Sequence, residues 1–230
     1  PGFKGQDFYE LRHECLQSKK LFEDPEFIPS DEILFYDTPP PPSSSYTWKR
    51  PNDICQDPKF VIDTYSRFNA KQGNLGDCWF VSAIATLTLH QKFLNRVISS
   101  DNSFEKEFYA GIFHFRFWHF GEWVDVVIDD RLPTQGKRLV YLHSKNDNEF
   151  WSALLEKAYA KLKGGYQHLD GGESSIAFQC FTGGIIESYN LEETPEKIIQ
   201  KLKTTLRKSS MQDVGSKLAN FKFKSFVDLI

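Results

Sequence analysis

Gln72-Gly73-Asn74-Leu75-Gly76-Asp77-Cys78-Trp79-Phe80-Val81-Ser82-Ala83-Ile84-Ala85-Thr86-Leu87 is the stretch around which the rest of the chain is organised. Gly73 and Gly76, with the Asn74-Leu75 pair between them, make a tight approach, and Asp77 is suited to cap whatever follows. Phe80, Val81, Ile84, Ala85 and Leu87 then recur at helical spacing, interleaved with small residues that allow close packing. Cys78 is therefore expected in the first turn of a largely buried helix. There the unpaired backbone N–H groups and the positive end of the dipole favour a thiolate over a thiol. Gln72, upstream on the same turn, can aim its side-chain NH₂ at the point where the sulfur attacks. An activated nucleophile beside a donor for the developing oxyanion is what a cysteine acyl-transfer enzyme needs. On chemistry alone, a single cysteine next to tryptophan at a helix start is more often a small buried residue.

The whole chain sets bounds on that reading. Its 230 residues can hold one large domain, or one domain and part of another. A hydrophobic content of 40% with 15% aromatics is enough for a substantial core, and 26% charged residues with a formal charge of −3 are ordinary for a soluble protein. That balance gives no reason to expect nucleic acid or a membrane surface as partner. No apolar run approaches the roughly 20 residues that span a bilayer. The start, Pro1-Gly2-Phe3-Lys4-Gly5, has neither the apolar core of a signal peptide nor an initiator methionine, so it is expected to be an artificial boundary. Cys15, Cys55, Cys78 and Cys180 are scattered without CxxC spacing, which fits reduced thiols in the cytosol better than zinc or a disulfide framework.

Along the chain, residues 6–19 read as an amphipathic helix with Phe8, Leu11, Cys15 and Leu16 in one stripe and His13 on the solvated face. Residues 20–37 lack any period and suggest an extended segment. The prolines from Pro39 to Pro42, followed by three serines, read as an exposed polyproline-II loop, less readily as a docking site for a proline-reading partner. Residues 91–98 read as the end of a surface helix. Strong alternation over 109–118 and again over 122–130, around a His119-Phe120-Gly121 turn, predicts an antiparallel hairpin. His114 and His119 fall in it as structural residues, with no further metal ligands nearby. Residues 139–143 make a third short strand. Asn148 is a plausible N-cap for a helix over 149–163, which Gly164-Gly165 ends. Residues 176–189 start as a helical turn and continue as a strand, and Pro195 opens a last helix over 194–207.

Gln-Gly-Asn-Leu-Gly-Asp-Cys-Trp at 72–79 resembles the active-site segment of the calpains, the calcium-dependent members of the papain-like cysteine proteases. Trp48-Lys49-Arg50-Pro51 and Pro58-Lys59-Phe60 resemble the run-up to that cysteine. The similarity runs from about residue 7 to about residue 207, most closely over 113–161. It implies an α+β fold: a papain-like cysteine protease lobe, helix-rich with a small antiparallel hairpin, followed by a partial second lobe. The expected division is an N-terminal helix and Pro/Ser-rich segment (1–45), a first lobe (46–172), and the start of a second lobe with an unrecognised tail (173–230).

The resemblance also implies roles. Cys78 matches the nucleophile, Gln72 the oxyanion donor, and Gly172 a backbone position lining the substrate cleft. A first-lobe Ca²⁺ loop falls on the carbonyls of Ile62 and Thr64 and the side chains of Asn69 and Glu149. Arg67 matches an arginine that links this loop to the other lobe. Without the resemblance, Glu149 reads as a first-turn acid compensating a helix dipole. Asn69 stands where aspartate is usual in the family, and one carboxylate fewer weakens a Ca²⁺ site. None of the histidines at 13, 90, 114, 119, 143 and 168 lies in a family position for the base, so the triad is incomplete in this text. The resemblance thus implies a cytoplasmic, calcium-dependent endopeptidase acting on protein substrates, with a calpain regulatory subunit or inhibitor as further partner. The alternative is a truncated, catalytically inactive chain that regulates or binds such enzymes.

Overall fold

The computed structural model describes residues 1–35, 46–62, 64–65, 70–71, 73, 75–187 and 204. A 3₁₀ turn at Phe3–Gly5 precedes α1 (Phe8–Ser18). Asp7 caps α1 by accepting the N–H groups of Tyr9 and Glu10 at 2.9 and 3.0 Å. There follow α2 (Asp31–Phe35), β1 (Thr47–Lys49), α3 (Pro51–Ile54), β2 (Ala70–Lys71), α4 (Cys78–Leu87) and α5 (Gln91–Val97). Then come β3 (Ile112–His119), β4 (Glu122–Asp129), β5 (Leu132–Gln135), β6 (Arg138–Leu139) and β7 (His143–Ser144). The last helices are α6 (Trp151–Lys163) and α7 (Ser174–Thr182), with a 3₁₀ turn at Gln167–Leu169 between them. The architecture is mixed α+β, with strands grouped as β1-β5-β6, β2-β7 and β3-β4, all antiparallel.

The β3–β4 hairpin separates two apolar clusters. Alternation sends Phe113, Phe115, Phe117, Val124, Val126 and Ile128 into the main core, beneath α6 and α7. Ile112 and Val127 point the other way, to Phe8 of α1. His114 shares that second face. Phe8 stacks on its ring at 3.7 Å, and its Nδ1 lies 2.8 and 2.9 Å from the two carboxylate oxygens of Asp125. The turn is Phe120-Gly121, both at positive φ (46° and 91°), as a two-residue primed hairpin turn requires.

Several expectations change. Residues 20–37 contain the short helix α2. Leu16 is exposed, so α1 buries a narrower stripe around Phe8. Residues 91–98 form a separate helix that buries Leu94 and Val97. The single strand at 139–143 is two fragments: β6 pairs with β5, while β7 pairs with β2. Helix α7 runs to Thr182 and stops at Gly183 in the left-handed region (φ 70°), with no strand over 183–187. The expected polyproline loop and the helix over 194–207, apart from Thr204, lie outside the described residues.

Helix α6 is the centre of the core, buried at every position from Trp151 to Leu162. Its two buried lysines are neutralised internally. Lys157 Nζ donates to Asp129 Oδ1 (2.6 Å) and to the carbonyls of Asp129 (3.0 Å) and Arg131 (2.6 Å). Lys161 Nζ donates to Asp24 (2.6 Å), Gln6 (2.5 Å) and the Val127 carbonyl (2.7 Å). Burial alone would raise the Asp129 carboxyl, but Lys157 and Arg131 hold it well below the usual carboxylate range.

Candidate active site

Cys78 is the first residue of α4, and it is exposed while Phe80, Ala83, Ile84 and Leu87 of the same helix are buried. Asp77 opens the helix differently from the expected side-chain cap. Its carbonyl accepts the N–H groups of Phe80 (2.8 Å) and Val81 (3.0 Å), while its side chain makes no capping bond. The buried Asp77 carboxylate faces Glu156 of α6. Glu156 is fully buried and accepts the Leu142 N–H at 3.1 Å. Burial first, then the Asp77 charge and hydrogen bond, push the Glu156 carboxyl well above the usual range, in favour of its protonated form.

The glycines before the cysteine are close-approach positions. A Cβ on Gly73 would lie 2.3 Å from the Val140 carbonyl oxygen, and one on Gly76 would lie 2.2 Å from Asp170 Oδ1. The loop after the Gln167–Leu169 turn docks on both sides of Cys78. Gly171 donates its N–H to the Gly76 carbonyl at 3.0 Å, and the Trp79 indole N–H donates to the Leu169 carbonyl at 2.9 Å. Gly172 lies flat against the Trp79 ring, where a Cβ would meet it at 2.6 Å. An exposed sulfur thus opens α4 between backbone segments that can approach an extended ligand. Trp79, Leu169 and Asp170 were not picked out by sequence reasoning, because their contacts with the cysteine segment are set by tertiary packing.

Of the four residues assigned to Ca²⁺, Ile62 and Glu149 are brought together, through the Ile62 N–H, which donates to Glu149 Oε1 at 2.8 Å. Glu149 Oε2 accepts the Ser144 hydroxyl. The carboxylate is 2% exposed and sits ahead of the helix proper, so it is not a first-turn residue of α6. Asn148 does not cap α6 either; its side-chain N–H donates to the Asp57 carbonyl at 3.1 Å. Burial and then the Glu149 charge push the Tyr65 hydroxyl up to about 12. Thr64 is exposed, and Asn69, Arg67 and Gln72 lie outside the described residues. Among the described residues no group of three or more His, Cys, Asp or Glu side chains is placed to hold a metal ion. Ile62 and Glu149 are joined as a hydrogen-bonded pair through the Ile62 N–H.

All four cysteines are free thiols. No described helix is long and apolar enough to cross a membrane. His168 lies with its ring against Gly164 and Gly165, at the C-terminal end of α6.

An exposed cysteine at a helix start, walled by a glycine loop, is the arrangement that enzymes with a cysteine nucleophile need. The profile of the calpain family cysteine proteases matches residues 22–225. Calpain-8 of Rattus norvegicus is 52% identical over 212 residues, covering 91% of this chain and 30% of its own length. Calpain-9 of Homo sapiens is 52% identical over 207 residues, with 90% and 30% covered. Calpain clp-1 of Caenorhabditis elegans is 51% identical over 202 residues, with 88% and 26% covered. The chain belongs to the calpain family of cysteine proteases, and it spans about 30% of the length of these relatives.

Proposed function

We propose that these residues are the nucleophile-bearing part of a calcium-dependent endopeptidase that makes limited cuts in cytoplasmic proteins. The observation carrying this reading is the exposed Cys78 at the start of α4, held between Gly76 and the 169–172 loop. The sulfur attacks a peptide carbonyl, and the Gln72 amide donates to the oxyanion. The Gly172 backbone lines the cleft. A histidine, oriented by an asparagine, takes the thiol proton and returns it to the leaving amine. Both belong to a second lobe that begins after residue 172, in sequence beyond these residues. Protein substrates follow from the family, and a regulatory subunit or inhibitor of the calpain type is the further partner.

Ca²⁺ is the proposed cofactor, held by the carbonyls of Ile62 and Thr64 with Asn69 and Glu149, and linked to the second lobe by Arg67. Ca²⁺ bound there would take the place of the N–H and hydroxyl donors now on Glu149, and would supply the charge that favours the lobe arrangement binding it better. Glu149→Ala is expected to abolish the Ca²⁺-induced change in tryptophan fluorescence and melting temperature. An unchanged response would remove Glu149 from the set.

The functional test is cleavage of a casein-like substrate. The 230-residue chain alone is expected to be inactive, because general acid–base help contributes about 10²–10⁴-fold and no histidine follows His168. Fusing the rest of a relative's second lobe after about Lys203 should give calcium-dependent cleavage that Cys78→Ser removes. A fusion that folds, stays inactive at every Ca²⁺ level and binds intact relatives would favour the second reading, an inactive regulatory chain.

A further inference from the structure

We infer that Asp170 is a specificity-determining residue, whose carboxylate biases the Cys78 cleft toward substrates with a positively charged side chain beside the bond attacked. The inference rests on the reading of Cys78 as the nucleophile. Its basis is placement. The loop carrying Asp170 is tied to the cysteine segment on both sides, by the Gly171 N–H on the Gly76 carbonyl and by the Trp79 indole on the Leu169 carbonyl. The Asp170 carboxylate lies over Gly76, where a Cβ would be 2.2 Å from Oδ1. The absent side chain at Gly76 is therefore what lets a charge sit two residues from the nucleophile.

Asp170 also differs from the acids of the core. Asp24, Asp129 and Asp130 each face a cation, namely Lys161, Lys157 with Arg131, and Arg50. Asp170 is exposed and makes no ion pair with another described residue. Glu173, exposed on the other side of Gly171 and Gly172, adds charge of the same sign. A carboxylate with no ion-pair partner among the described residues, packed over the residue two before the cysteine, acts on any charged group that approaches the sulfur at low salt.

The test uses the chain as it is, with two thiol reagents of opposite charge: the trimethylammonioethyl and sulfonatoethyl methanethiosulfonates. In each case the thiolate attacks the sulfenyl sulfur, forms a mixed disulfide and releases methanesulfinate, and peptide mass spectrometry follows the modification at Cys78. At low salt the ratio of the cationic to the anionic rate, normalised to the same ratio for a free thiol, is expected to be about fourfold, from roughly a twofold effect on each. Asp170→Asn should reduce that ratio at least twofold and Asp170→Lys should reduce it further. Glu14→Gln, the same charge change on exposed α1, should leave it unaltered. A ratio that is the same in D170N as in the parent, or that falls equally in E14Q, would overturn the inference while leaving Cys78 reactive. Failure of Cys78 to react with either reagent would overturn the nucleophile reading and the inference together.

Discussion

The two sides of helix α6 handle buried charge in opposite ways. Toward the hairpin and the N-terminal segment, Lys157 and Lys161 each meet a carboxylate at 2.6 Å, with backbone carbonyls and, for Lys161, the Gln6 amide oxygen filling their remaining donor positions. Toward the start of α4, Glu156 meets no cation among the described residues. It faces Asp77, whose charge adds to burial in favouring the protonated form of Glu156. The first side shows how a wholly buried helix tolerates lysines: each charge is matched and each donor used. The second places the buried Glu156 and Asp77 carboxyl groups behind Cys78. The difference teaches that the buried lysines of this core are paired with carboxylates, whereas beside the candidate nucleophile one acid packs against another.

The largest expected effect comes from breaking the paired side. Lys157→Met leaves Asp129 buried with only Arg131, and should destabilise the chain by about 3 kcal/mol, measured from the urea midpoint. An effect below about 1 kcal/mol would mean that water or another group takes over the lysine's role. Glu156→Gln sharpens the other side with a smaller, pH-dependent effect. The unfolded chain loses the Glu156 proton near about pH 4.3, whereas the fold keeps it to a raised value. Above that pH the native state binds more protons than the unfolded one, so the Glu156 contribution to stability falls as pH rises. Glutamine has no such proton. The stability of E156Q relative to the parent should therefore climb by up to about 1.4 kcal/mol per pH unit above about pH 4.3. A flat difference between pH 4 and 7 would show that Glu156 is ionised in the fold.

Much of this was legible in the sequence where the signal was local. The periodicity of Phe80, Ile84 and Leu87 located α4 and put Cys78 at its start. Alternation around Phe120-Gly121 located the hairpin and its turn. Gly164, at φ 96°, ended α6 as expected. What escaped depends on partners distant in the chain. Strand β5 is short and contains Pro133, and its pairing with β1 joins residues far apart. The start of α6 was expected at Glu149, an ordinary first-turn acid by composition. The structure uses that carboxylate instead to fasten Ile62 and Ser144. Asp170 over Gly76 left no trace in spacing, because a glycine required by close approach looks the same in sequence as one required by a turn.

The central claim, that Cys78 is presented as a nucleophile, is tested most directly against the other cysteines of the same molecule. Burial raises the Cys15 and Cys55 thiols, and Cys180 is buried in the core. Treated with limiting iodoacetamide at pH 7 and followed by peptide mass spectrometry, Cys78 should be alkylated about tenfold or more faster than Cys15 and Cys55, with Cys180 protected. Alkylation of Cys78 no faster than Cys15 and Cys55 would contradict the account.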